Sequence, residues 1–379
     1  MKRNTININL QPVNNQGSGI ALFANKLIAE LEKSKLYKIF GSFNFVRGVK
    51  KKELERFSFP VKYSSVPAKV VYSRLIKKAL PFYYHNMMRG ESDINLFLTY
   101  KIPRVNYSGI VITTIHDLIP LRVATENDKI QTDYRNDIDY AIRHSDYLIT
   151  ISEASKKDIL EEFLYNKNKI FVIPNGVDFE LYNNEIEQEH LTKVKEKYQL
   201  PNKFVVYLGG IRRHKNVDNL IRAYALLSED IRAEVSLVIT QGNEDLKKLT
   251  ANLNIEEQVF FTPYIDEEDK PAVYKLALAM AFISSYEGFG LPIIEAMAAG
   301  TPVITSNVSS MPEVAGDAAV LVDPFEIEET TDALERIIVD ADFRKKLIES
   351  GYENAKKYSW THSGEELVKL CNTILKQQT

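Results

Sequence analysis

Short apolar runs rich in Val, Ile and Phe recur along the chain and alternate with longer stretches of helical period. The first half carries such runs at "TININL", "YKIFGSF", "INLFLTY", "GIVITTI", "YLITIS" and "IFVIP". The second half carries "KFVVYLGG", "EVSLVIT", "VFFTPY", "MAFISS", "PVITS" and "AAVLVD". Such runs, bounded by turn residues, predict strands buried on both faces. Between them, "GIALFANKLIAELEKS", "NVDNLIRAYALLS", "DKPAVYKLALA" and "EIEETTDALERIIVD" predict amphipathic helices. Strands alternating with helices mean βαβ units and parallel sheets, an α/β fold.

A dozen strands over 379 residues exceed one such domain, so two doubly wound, Rossmann-like domains are expected. The expected arrangement has them facing each other across an interdomain cleft lined by the C-terminal ends of both sheets. The polar, acidic stretch "NNEIEQEHLTKVKEKYQLPNK" precedes a fresh strand and marks the break. The expected domains are 1–180, joined by a C-terminal helix at 360–379, and 181–359. No repeat at solenoid spacing and no low-complexity tract interrupts this pattern.

Composition adds location and partners. Hydrophobic residues at 45% and charged residues at 26% are ordinary for a soluble globular protein. No apolar run reaches the ~18–20 residues of a membrane span. The opening "MKRNTININLQPVNN" turns polar too soon for a secretory signal, and a lone Cys371 rules out an intrachain disulfide. A cytoplasmic protein is therefore expected. The net charge of −3 conceals an asymmetry, because residues 1–110 hold 19 Lys/Arg against 6 Asp/Glu. Within them, "VRGVKKKELERF" and "VPAKVVYSRLIKKALPFYYHNMMRG" mix cations with aromatic and aliphatic side chains, as interfacial helices do. Peripheral docking on an anionic membrane surface is the expectation. Nucleic acid is not expected, since no nucleic-acid-binding motif accompanies the charge.

The chemistry concentrates in four places. In "SSYEGFGLPIIEAMAAGTPVI", Glu287 lies on a loop after a strand and Glu295 is expected in the first turn of the following helix. Pro292 suits the start of that helix and Gly300 its end. Gly288 and Gly290 let backbone N–H groups approach a ligand near a helix N-terminus, where negative charge is favoured. "GGIRRHKN" is a strand exit and tight turn whose cations, Arg212, Arg213 and Lys215, are placed to meet a diphosphate. "VITTIHDLIP" puts His116 and Asp117 at the end of a buried strand. "QPVNNQGSGIALFANKL" turns through Gly17 and Gly19 into a helix, and it fails as a dinucleotide fingerprint because Leu22 stands where a third glycine belongs. "NDIDY" looks like a metal-binding Asp-x-Asp, but in a helical pattern its acids point to different faces, so it reads as surface charge and no metal is expected.

The stretch "EGFGLPIIEAMAAGTPVITSNVSSMPEVAGDAAVLVDP" resembles the signature region of the retaining glycosyltransferases of family 4, which have the GT-B fold. Their hallmark is Glu, seven residues and Glu, filled here by Glu287 and Glu295. The resemblance continues through "YLGGIRRHKNVDNLIRAYALL" and "TTIHDLIPL…SDYLITISEASKKDI…IFVIPNGVD" and covers most of residues 110–325. The first hundred residues match in layout only. It implies transfer of a hexose, with retention, from a nucleotide-diphosphate sugar held mainly by the C-terminal domain, with no cofactor or metal. By the same resemblance Glu287 contacts the transferred sugar, Glu295 binds the ribose, and the backbone of Phe289, Gly290 and Leu291 approaches the sugar and diphosphate. His116 would lie beside the donor sugar, with Asp117 orienting it or meeting the acceptor. The loop of Gly17 and Gly19 would close on diphosphate and acceptor. Lys215 matches the family's lysine. Gly210 stands where many relatives carry an arginine, so Arg212 or Arg213 would supply the missing charge. The "IHDLIPL" and "GGI" style tilts the donor toward GDP-mannose, with UDP- and dTDP-sugars open, and the expected acceptor is a lipid-linked or cell-surface glycan precursor. A sugar-nucleotide epimerase of the same fold and a non-enzymatic anion-binding protein are the alternatives.

Overall fold

The computed structural model describes residues 3–14, 18–45, 54–67, 92–105, 107–123 and 128–377. The chain divides into two compact units, Met1–Gly176 with Trp360–Thr379, and Val177–Ser359. The division falls four residues before the position expected from the sequence.

In the first unit, among the described residues, seven strands form one sheet: β1 (Thr5–Asn9), β2 (Lys38–Phe45), β3 (Val61–Pro67), β4 (Ile94–Phe97), β5 (Ile110–Thr114), β6 (Tyr147–Thr150) and β7 (Ile170–Val172). Their order is β3-β2-β1-β4-β5-β6-β7 and every pairing is parallel. β4 and β5 are buried along their whole length, the polar Asn95, Thr113 and Thr114 included, as strands covered on both faces are. The edge strand β3 was not expected. Its sequence "VKYSSVP" has no continuous apolar run, because an edge strand needs less apolar surface. The helix Gly19–Ser34 begins at Ser18, whose Oγ accepts from the Ala21 N–H at 3.2 Å. It buries Phe23, Leu27 and Leu31. Phe23 meets Trp360 edge-on, and the Tyr37 hydroxyl donates to Asn372 at 2.7 Å. These contacts fix the helix Trp360–Lys376 to the first unit.

The second unit holds six described strands: β8 (Phe204–Tyr207), β9 (Ser236–Thr240), β10 (Val259–Thr262), β11 (Ala279–Phe282), β12 (Val303–Ser306) and β13 (Val320–Val322). Their order is β10-β9-β8-β11-β12-β13, again parallel throughout. In both sheets the chain works outward from one strand, β1 or β8, and then crosses back to its other side. That reversal opens a crevice at the strand ends, where ligands of doubly wound sheets bind. In the second unit the crevice lies between the loops that leave β8 and β11.

Candidate functional site

The loop after β8 is held to its neighbours by short polar contacts. Thr240 Oγ1 accepts from the Gly209 N–H at 2.9 Å and donates to the Gly209 carbonyl at 3.0 Å. The Tyr207 hydroxyl donates to the Gly210 carbonyl at 2.9 Å. A single 3₁₀ turn, Arg213–Lys215, follows and ends at Asn216 in the left-handed conformation with φ of 57°. The Asn216 side-chain amide donates to the carbonyls of Ile283 at 3.2 Å and Pro324 at 2.5 Å. The Ser285 N–H and hydroxyl both donate to the His214 carbonyl, at 2.7 and 3.2 Å. The turn after β8 is thereby fastened to the exit of β11.

That fastening brings Lys215 to Glu287. The ammonium Nζ lies 2.5 Å from Glu287 Oε1 and 5.0 Å from the centroid of the Phe282 ring. Phe282 in turn stacks on Tyr207. The side chains of Lys215 and Glu287 retain only 19% and 9% exposure, so their attraction is weakly screened by water. His214 is buried beside them. Burial lowers its pKa, Glu287 opposes that shift, and Lys215 and Arg212 add to it. Arg212 is therefore near enough to act on His214, while both Arg212 and Arg213 are exposed. At Gly210, an added Cβ would meet only Gln241 Oε1 at 3.8 Å, so a side chain would fit where this chain has none.

The loop 287–290 leads into the helix Leu291–Ala299 through Gly290, whose φ of 99° is a conformation L side chains rarely adopt. Leu291 and Pro292 are its first two residues, and Gly300 ends it with φ of 79°. Glu295 is the fifth residue and opens the second turn, not the first as expected, because the helix starts at Leu291, one residue before the Pro292 start that the sequence suggests. Its carboxylate is nearly enclosed, with 7% exposure. The Tyr274 hydroxyl donates to Glu295 Oε2 at 3.1 Å, and the Tyr182 hydroxyl lies near enough to interact with the same carboxylate. Burial raises the Glu295 pKa, and Lys270 works against that rise.

In the first unit, His116 is buried at the end of β5, edge-on to Phe23, with its Nε2 3.2 Å from the Leu98 carbonyl. A carbonyl partner requires the proton on Nε2, which leaves Nδ1 as an acceptor. Burial lowers the imidazole pKa to about 4, so the ring is neutral near pH 7. Asp117 Oδ1 accepts from the Ile119 N–H at 2.9 Å, closing a turn that fixes the backbone after His116. Gly19 is the first residue of its helix, and Gly17 lies outside the described residues. Asp139 pairs with Arg143 at 2.9 Å as an ordinary ion pair of a helix surface, and Asp137 pairs at 3.0 Å with the largely buried Arg104 outside that helix. The sequence pattern does not single out His214, Asn216, Tyr182 or Tyr274, which the structure places against Lys215, Glu287 and Glu295. Only the positions of His214 and Asn216 on either side of Lys215 give a local signal.

Residues 96–181 match the family model "Glycosyltransferase Family 4", and residues 189–354 match "Glycosyl transferases group 1". The chain is 30% identical over 272 residues to the O-antigen chain mannosyltransferase B of Escherichia coli, covering 70% of this chain and 69% of that one. The chain belongs to glycosyltransferase family 4. Another relative of this family-4 chain is the serotype-specific mannosyltransferase WbdA of Escherichia coli, 27% identical over 290 residues. That match covers 74% of this chain and 35% of WbdA, so the chain spans about a third of the length of this relative. Two solved structures share its GT-B fold. Sucrose-phosphate synthase from Thermosynechococcus elongatus superposes with a TM-score of 0.74 at 18% identity, covering 99% of this chain and all of that one. Anabaena HepE in complex with UDP and glucose superposes with a TM-score of 0.75 at 19% identity, covering 98% and 100%.

Proposed function

We propose that this family-4 chain is a retaining hexosyltransferase that moves a hexose, mannose first, from a nucleotide-diphosphate sugar to an acceptor hydroxyl. The observation that carries this reading is the Lys215–Glu287 pair, set where the strand order of the second sheet reverses. The mannosyltransferase names of the relatives support mannose, and hence GDP-mannose. The UDP and glucose bound to HepE support a nucleotide sugar in general and keep UDP- and dTDP-sugars in play.

In this scheme the bond between the anomeric carbon and the diphosphate oxygen breaks, and the diphosphate leaves with the electron pair. The acceptor oxygen attacks the same face, and its proton passes to the leaving phosphate. Lys215, Arg212 and the N–H groups opening the helix Leu291–Ala299 stabilise the charge on that phosphate. Glu287 accepts hydrogen bonds from sugar hydroxyls. Glu295 has about four lone-pair sites, and its bond from Tyr274 leaves room for a ribose hydroxyl. Neutral His116 accepts a hydroxyl hydrogen bond at Nδ1 and gives up no proton. The scheme uses no metal ion. An O-antigen relative and the basic first 110 residues support a lipid-linked or cell-surface glycan precursor as acceptor, met at the cytoplasmic face of a membrane.

A thermal-shift screen of GDP, UDP and dTDP identifies the base, because the nucleotide that binds raises the melting temperature by mass action. NMR of the product made from the matching sugar nucleotide then gives the anomer. An inverted linkage overturns retention. Undiminished transfer by Glu287→Ala and Lys215→Ala overturns the site.

A further inference from the structure

The loop Glu287–Gly290 is fastened from behind by two adjacent serines that follow β12. The Ser309 hydroxyl donates to the Glu287 carbonyl at 2.6 Å and accepts from the Glu287 N–H at 3.3 Å. The buried Ser310 hydroxyl lies 3.0 Å from both the Glu287 and the Phe289 carbonyl, so its one proton is shared between them. Two details separate this arrangement from incidental packing. Ser310 occupies the N-cap position of the helix Met311–Ala315, yet its side chain does not cap that helix and bonds the neighbouring loop instead. Ser309 has φ of 57°, in the left-handed region that residues with a Cβ seldom occupy.

A trans peptide is planar, so fixing a carbonyl also fixes the N–H on the opposite side of the same plane. Tying back the Glu287 carbonyl aims the Gly288 N–H away from the serines. Tying back the Phe289 carbonyl does the same for the Gly290 N–H, which adjoins the start of the helix Leu291–Ala299. The Glu287 carboxylate hangs from the residue that Ser309 grips at both its N–H and its carbonyl. We infer that Ser309 and Ser310 are positioning residues for the donor, setting the two peptide planes and the carboxylate that meet its sugar and diphosphate. This assignment rests on the transferase reading above.

The test compares the wild type with Ser309→Gly, Ser310→Ala, Ser310→Thr and Glu287→Ala. Glycine suits the left-handed backbone of residue 309 and removes its hydroxymethyl group, so that variant keeps the test open if Ser310→Ala fails to fold. The nucleoside diphosphate that binds the wild type, from GDP, UDP and dTDP, is the titration probe. Ser310→Ala and Ser309→Gly should each weaken its binding by about tenfold, the scale of one or two lost hydrogen bonds. They should raise the donor KM in step and leave the acceptor KM unchanged. Ser310→Thr, which keeps the hydroxyl, should bind like the wild type. Amide hydrogen exchange within residues 287–291 should quicken in the two hydroxyl-deleted variants. Binding within twofold of wild type in both, while Glu287→Ala loses it, overturns the serine assignment alone. A wild type that binds none of the three nucleotides overturns the transferase reading and this assignment with it.

Discussion

Lys215 and Glu287 sit 2.5 Å apart and mostly out of water, so removing one leaves the other as a poorly solvated charge. Lys215→Met and Glu287→Gln should each destabilise the chain by about 2 kcal/mol, and the double variant by clearly less than their sum. Urea unfolding of the four proteins measures this, and strict additivity would contradict a tight pair. His116 makes a prediction in pH. Its folded pKa of about 4 lies below that of an unfolded histidine, so the unfolded chain binds a proton that the native chain refuses. Its contribution is complete above about pH 6.5 and declines as pH falls toward 4, by at most about 1.4 kcal/mol per unit. The melting temperature of His116→Gln should therefore drop less between pH 7.5 and pH 5 than that of the wild type. At this scale the sequence revealed residues that belong to motifs. It hid Tyr182 and Tyr274, because nothing local to either tyrosine says that it will turn toward a glutamate on another helix.

The element on which the site depends most is the helix Leu291–Ala299. Its apolar run and bounding glycines were legible, because a buried helix closed by residues at positive φ has few alternative readings. Its register was less legible: the helix begins at Leu291, directly after Gly290, so Glu295 falls one residue further along it than a start at Pro292 implied. Gly300 tests the cap. Its φ is 79°, and a Cβ there would come within 2.1 Å of the Tyr352 hydroxyl. Gly300→Ala should cost about 2 kcal/mol or more, and a melting temperature within a degree of wild type would refute that. Strand β3 is the element the pattern missed. Its serines and lysine interrupt the apolar run, and its pairing with β2 is a tertiary fact that no periodicity in "VKYSSVP" announces.

Across the whole molecule, the alternation of apolar runs and amphipathic stretches announced both sheets, because parallel strands covered on two faces leave a strong mark in sequence. Charge left an equally strong mark that the fold does not explain. The two most basic segments, 46–57 and 66–90, lie largely outside the described residues. Residues 1–110 carry 19 Lys/Arg and 6 Asp/Glu in a chain whose total is −3, so the rest of the protein is strongly acidic. Attraction to an anionic surface must then come from this one region, working against repulsion by the remainder. Each juxtamembrane cation contributes about 1 kcal/mol near an anionic bilayer, and that attraction is screened within roughly 10 Å at about 0.1 M salt. The full chain should therefore co-sediment with vesicles containing anionic phospholipid at low salt and be released at about 0.5 M salt, where the screening length shrinks further. It should ignore neutral vesicles throughout. Replacing Lys50, Lys51 and Lys52 together with Lys77 and Lys78 by glutamine should weaken the binding while leaving the nucleotide binding proposed for the second unit unchanged. Absence of binding to anionic vesicles at low salt would remove the membrane from the account and leave the acceptor to be sought in solution.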